Sequence, residues 1–250
     1  MTGEEKKDIY TLLKKSSDWI CGFKTDDFIS PLSFEDDLEL AEETAVPQTE
    51  TSSTQEKLSA LYAKINNCQN CILHRQRTNT VPGEGCPAPY VMVIGEGPGE
   101  DEDKSGRPFV GKAGQLLDKM LSAIQLDRRC NCYIANIVKC RPPANRDPMP
   151  DECDSCSGYL QTQIHILKPK MILALGRTAA QNLLKTEQGI NALRGKFFDY
   201  NGIPLLATYH PSALLRNESL KRPAWEDLKT FRSRLNEICP GYDESFKNLR

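Results

Sequence analysis

The chain has 250 residues, enough for one large domain or two small ones, and its 39% hydrophobic and 26% charged content suits a packed core rather than wholesale disorder. Its net charge of −2 conceals an asymmetry, since residues 1–55 carry −8 and the remainder +6. No apolar run approaches the roughly 20 residues that cross a bilayer, and the opening MTGEEKKDIY lacks the apolar stretch of a secretory signal. A cytoplasmic protein without a membrane anchor is expected. Ten cysteines then argue against a disulfide framework, which a reducing compartment does not sustain, and for ligation of a metal or cluster by some of them.

In chain order, Ile9, Leu12, Leu13 and Ile20 fall near a helical repeat, followed by the acidic FEDDLELAEE and the polar VPQTETSSTQ. Residues 1–55 read as a flexible acidic extension, either a solubilising tail or a docking site for a protein partner. From residue 56 the signals tighten. KLSALYAKINN (57–67) has helical spacing and leads to Cys68 and Cys71. Four short apolar runs follow, VMVIGE (91–96), YIANIVKC (133–140), MILALG (171–176) and PLLATYH (204–210). Helical patterns separate or follow them at 114–126, 152–167, 178–185 and 225–238. Near-continuous apolar strands alternating with helices predict an α/β domain whose parallel sheet is covered on both faces, over 56–240, with 241–250 as a C-terminal tail. Ligands of such sheets bind beyond the carboxyl ends of the strands. Three of those ends carry Gly95-Glu96-Gly97, Asn136 with Cys140, and His210.

Within GEGPGEDEDKSGRPFVGKAGQLL (95–117), glycines let backbone N–H groups approach a ligand, and a helix start near Gly111 to Gly114 favours an anion. The segment matches neither a Walker loop nor a dinucleotide fingerprint. Phe109, among small residues, suits stacking on a flat ring, or else packs in the core. Cys68 and Cys71 form a CxxC, and Cys140 and Cys156 make a second pair, with Cys153 as a substitute for Cys156. Four thiolates serve zinc or a four-iron cluster equally by spacing. KCRPPANRDPMPDEC (139–153) predicts a stiff loop in which Lys139, Arg141 and Arg146 meet backbone phosphates. In YHPSALLRNESLKRPAW (209–225), Leu214 and Leu215 flanked by Arg216, Lys221 and Arg222 read as an apolar wedge for a base stack, or as leucines packed inward from a helix start.

Taken together, GEGPGxxED, GRPFVGKAGQLL, NIVKCRPPxNR and HPSALLR, in this order across residues 58–240, resemble the family 4 uracil-DNA glycosylases, the iron-sulfur branch of that superfamily. The resemblance implies an α/β/α sandwich around a four-stranded parallel sheet, a monomer acting on uracil-containing single- or double-stranded DNA, and a structural [4Fe-4S] cluster on Cys68, Cys71, Cys140 and Cys156. It also implies stacking of flipped uracil on Phe109, base reading by Asn136 and donation to uracil O2 by His210. Gly95 and Gly97 then line the base site, Leu214 or Leu215 fills the vacated stack beside Arg216, and Asn145 helps position water. Other branches of the superfamily carry an Asp where this chain has Gly97, so Glu96, or an acid among Glu100 to Asp103, is the candidate to activate water. Two readings from other classes compete: a non-catalytic nucleic-acid-binding protein, and a zinc-stabilised nucleotide-binding or hydrolysing protein.

Overall fold

The computed structural model describes residues 48–249. The helical pattern around Ile9 and the acidic stretch after it lie outside the described residues, as does Cys21. The first described helix, α1 (Gln48–Asn66), starts upstream of residue 56, where the ordered body was expected to begin. It buries Leu58, Leu61 and Ile65.

Six strands form one sheet: β1 (Glu84–Gly85), β2 (Val91–Gly95), β3 (Cys132–Asn136), β4 (Met171–Leu175), β5 (Phe197–Tyr200) and β6 (Ile203–Thr208), in the spatial order β1-β3-β2-β4-β6-β5. The inner four are parallel, and these are the four apolar runs of the sequence. The two outer strands pair antiparallel, so the sheet is mixed and six-stranded rather than four-stranded. Side chains alternate between two cores as the pleat demands. Met92, Ile94, Ala135, Ile172, Ala174 and Leu205 face one side, while Val91, Val93, Ile134, Leu173, Leu175 and Leu206 face the other.

Helices cover both faces: α2 (Glu100–Ser105), α3 (Lys112–Ala123), α4 (Pro150–Leu167), α5 (Gly176–Leu184), α6 (Ile190–Leu193), α7 (Pro211–Arg216), α8 (Lys221–Ile238) and α9 (Glu244–Lys247). The start of α4 illustrates the local logic. Pro150 occupies the first turn, where no N–H is needed, and Glu152 reaches back to accept from Met149 N at 2.8 Å. Cys153, Cys156, Leu160, Ile164 and Leu167 then bury one stripe of the helix.

The residues after 240 are not peripheral. Tyr242 is fully buried, donates from Oη to Ile124 O at 2.7 Å, and accepts from Asn131 Nδ2 at 3.0 Å through its own carbonyl. The functional geometry follows from strand order. β2 lies at the centre between β3 and β4, Gly95 is level with Asn136, and Leu175 with Thr208. The residues that leave these ends converge on one crevice, as the switch-point rule requires.

Candidate active site

The crevice holds a cavity of about 710 Å³ lined by, among others, Glu96, Phe109, Asn136, Thr178, His210 and Arg216. Its floor is built by close approach at Gly95. A Cβ there would stand 2.5 Å from both Asn136 Oδ1 and Phe109 Cζ, so the amide and the ring edge lie against the bare backbone of β2. Asn136 is buried, and its Oδ1 has no hydrogen-bond donor. An acceptor buried without a partner costs about 1–3 kcal/mol. Asn136 also lines the cavity, beside the Phe109 ring.

Phe109 takes a left-handed backbone conformation, φ 52°, which is uncommon for a bulky side chain. Two anchors impose it. Arg128, half-buried and ion-paired with Asp118 at 2.7 Å, donates to Pro108 O at 2.7 Å and Phe109 O at 3.0 Å. Glu102 accepts Val110 N at 2.8 Å and Gly111 N at 2.9 Å through one oxygen, and Gly99 N at 3.1 Å through the other. The carboxylate of Glu102 thus fills the helix-start anion site expected of a nucleotide-binding loop. The Phe109 ring ends 5.6 Å, centroid to centroid, from His210.

His210 caps α7. Its Nδ1 accepts the Ser212 backbone N–H at 3.2 Å and lies 2.8 Å from Ser212 Oγ. Since a backbone N–H only donates, Nδ1 carries no proton and the ring hydrogen sits on Nε2. Desolvation, with Arg216 adding repulsion, pushes the imidazole down to about 4. His210 is therefore a neutral Nε2–H donor at physiological pH. Gly176, with φ +87°, passes so close that a Cβ would meet His210 Cβ at 2.8 Å, which only glycine permits.

Glu96 is half-buried and accepts from Thr178 Oγ1 at 2.6 Å. Burial raises its carboxyl above the usual range, with Thr178 opposing. Gly97 leaves no room for the acid found there in other branches, because a Cβ would meet Val138 Cγ2 at 2.8 Å. Of the alternative acids, Glu100 is exposed and bound to Lys104 at 2.6 Å. Glu102 is committed to three backbone N–H groups, and Asp103 is buried under Thr78 and Asn79, leaving Asp101 exposed on the cavity wall. Asn145 also lines the cavity, but its Oδ1 accepts from Arg141 Nε at 2.8 Å.

The structure corrects two assignments in the basic loops. Leu214 is only 2% exposed and packs inward, while Leu215 is 48% exposed, so the apolar tip beside the exposed Arg216 is Leu215. Lys139 is buried and cannot meet phosphates. Arg146 is bound to Glu152 at 2.6 Å and Arg141 to Glu100 at 3.4 Å.

Cys71, Cys140, Cys153 and Cys156 pack with the core on one face of the sheet, whereas Cys132 and Cys239 belong to the core on the other. Cys71, Cys140 and Cys156 each feel the charge of other members of the set that includes Cys68. Arg77 Nη1 donates to Cys140 Sγ at 3.2 Å, and the Lys139 backbone N–H to Cys156. Burial raises the Cys156 thiol to about 11, and that of Cys153 to about 11 as well. Among the described residues, no three His, Cys, Asp or Glu side chains close round a single ion. Four thiolates offer an all-sulfur donor set to zinc or to a four-iron cluster alike.

Residues 82–229 match the model of the uracil DNA glycosylase superfamily. The chain is 44% identical over 185 residues to a type-4 uracil-DNA glycosylase of Thermotoga maritima, covering 72% of this chain and 96% of that one. It is 43% identical to that of Sulfurisphaera tokodaii, over 71% of this chain and 84% of the relative, and 41% identical to that of Archaeoglobus fulgidus, over 74% and 94%. The chain belongs to the type-4 uracil-DNA glycosylases. In this glycosylase the expected Glu96, Phe109, Asn136 and His210 meet at one crevice, with Gly95 directly beneath. Sequence reading missed the groups that hold them: Thr178, Ser212, Glu102 and Arg128. Only two left a trace, Glu102 three residues after the helix-capping Gly99, and Ser212 two residues after the histidine of HPS.

Proposed function

We propose that the protein excises uracil from DNA, hydrolysing the N-glycosidic bond of a flipped-out nucleotide and leaving an abasic site, the first step in repairing deaminated cytosine. The observation that carries this reading is the unpaired Asn136 Oδ1 beside the Phe109 ring. Uracil offers N3–H to that acceptor and O4 to the amide N–H, whereas cytosine offers an unprotonated N3 and leaves acceptor facing acceptor. A site built around such a pairing rejects a mismatched ligand by as much as ~10⁴ to 10⁵.

Flipping costs a few kcal/mol, and stacking on Phe109 returns roughly 1–3 kcal/mol. Leu215 fills the vacated stack, and the +6 body supplies phosphate attraction. As the bond breaks, negative charge grows on O2, where His210 Nε2–H donates without a proton having to be gained first. Glu96, ionised and held by Thr178, orients water and faces the cationic sugar. Cys68, Cys71, Cys140 and Cys156 would hold a [4Fe-4S] cluster, which when bound fixes the loop and the helix that bear them. The protein acts as a cytoplasmic monomer on single- or double-stranded DNA, its catalytic domain lies in the body that follows the acidic N-terminal arm, and that arm serves as a solubilising tail or as a docking site for a protein partner.

Incubating the protein with a uracil-containing oligonucleotide, then adding alkali, should cut the strand at uracil and not at thymine or cytosine. DNA binding with no scission would favour the non-catalytic reading.

A further inference from the structure

Behind Asn136 lies a lysine with 1% of its surface exposed. Lys139 Nζ donates to Asn136 O at 2.8 Å and to Gln163 Oε1 at 2.7 Å. Gln163, on α4 and fully buried, donates to Pro82 O at 2.8 Å and to Tyr133 Oη at 3.2 Å, and Tyr133 Oη in turn bonds the Tyr62 hydroxyl of α1. The backbone N–H of Lys139 meets Cys156, and its ammonium acts on the same thiol. A buried charge is expensive and is retained only where it is well bonded. This one bridges the end of the base-reading strand and the helix that carries Cys156.

We propose that Lys139 is a positioning residue for base recognition, tying the Asn136 carbonyl to α4 so that the cysteine centre and the uracil-reading amide are held as one unit. The inference rests on the uracil-excision reading. Asn136 is the last residue of β3; beyond it Ile137 N and Val138 N still donate to Gly95 O at 3.0 Å and Glu96 O at 3.2 Å, and the bond from Nζ closes the turn back upon the Asn136 carbonyl from the side of α4. Without that bond the peptide of Asn136 is held only from β2, through Ile137 N, and loses its tie to α4, so that Oδ1 shifts from its aim at N3–H.

The test compares Lys139→Met and the milder Gln163→Met with wild type, each as full-length protein with its cluster. The readouts are the single-turnover rate of uracil release, inhibition by free uracil, affinity for abasic-site DNA, and visible absorbance. A misplacement of about an ångström can cost ~10²-fold in rate. Lys139→Met is expected to release uracil roughly tenfold to a hundredfold more slowly and to resist inhibition by free uracil, with abasic-site binding within about twofold of wild type. Gln163→Met, which leaves Nζ its bond to Asn136, should move both readouts in the same direction by less, and it serves if Lys139→Met does not fold. Rate constants and inhibition do not depend on the fraction of active protein. A merely structural role would lower that fraction and leave them unchanged, and this result in the variant that folds would overturn the proposal. A wild-type protein that released no uracil would instead overturn the excision reading itself.

Discussion

Replacing Asn136 by leucine should stabilise the protein while disabling it. The side chains are similar in size, and leucine removes the buried Oδ1 that has no donor in the free enzyme. Relieving an unsatisfied acceptor returns about 1 kcal/mol or more, which in a domain of this size raises Tm by roughly 2–4 °C. The same change strips bound uracil of its partners at N3–H and O4. Two buried polar groups left unpaired, at about 1–3 kcal/mol each, predict a loss of kcat/KM of roughly thirtyfold to ~2.5 × 10⁴-fold. Calorimetric melting of the free protein and single-turnover release from a uracil oligonucleotide read the two effects separately. A leucine variant that cleaves at the wild-type rate would refute the pairing role. One that melts clearly below wild type would refute the claim that the amide is a cost carried by the empty site.

Glu96 acts as an anion, and burial raises its pKa, so activity should fall as pH drops through a value above 4.5; Glu96→Gln should abolish that limb, and Thr178→Val, which removes the bond opposing the shift, should move it upward. His210 stays neutral down to about 4 and should add no inflection above pH 5 in a kcat/KM profile. Leu214→Ala should cost about 2–5 kcal/mol of stability, measured by denaturant titration, and Leu215→Ala almost none. Leu215→Ala should instead slow release from duplex more than from single-stranded DNA. Arg77→Met, which removes the donor to Cys140 Sγ, should weaken retention of the cluster by roughly 10–100-fold, followed as bleaching of visible absorbance.

The four inner strands were legible because burial on both faces leaves an unbroken apolar run. Phe197–Tyr200 was not legible, because an edge strand that alternates between exposed and half-buried residues carries no such run. The groups proposed to touch the base were readable from glycine, aromatic and histidine residues at strand ends. The groups that aim them were not: Thr178 lies 82 residues from Glu96, and nothing local marks the pair. Lys139 shows the limit most clearly. In a loop of prolines and arginines a lysine reads as a phosphate contact, and only the packing of α4 reveals that it points inward to Gln163. The two leucines of HPSALLR could be told apart only by the orientation of α7.

The catalytic crevice draws its members from five separate stretches of chain, at Glu96, Phe109, Asn136, Thr178 and His210. No fragment or half-folded form contains it, whereas the positive charge of the body belongs to the sequence and survives unfolding. On the excision reading, heat-damaged molecules therefore keep the cationic body's attraction to DNA after losing all ability to release uracil from it. In a stressed cell they become occupants of the substrate rather than catalysts, and excision should fall faster than the count of inactive molecules alone predicts, most steeply at low salt, where that attraction is greatest.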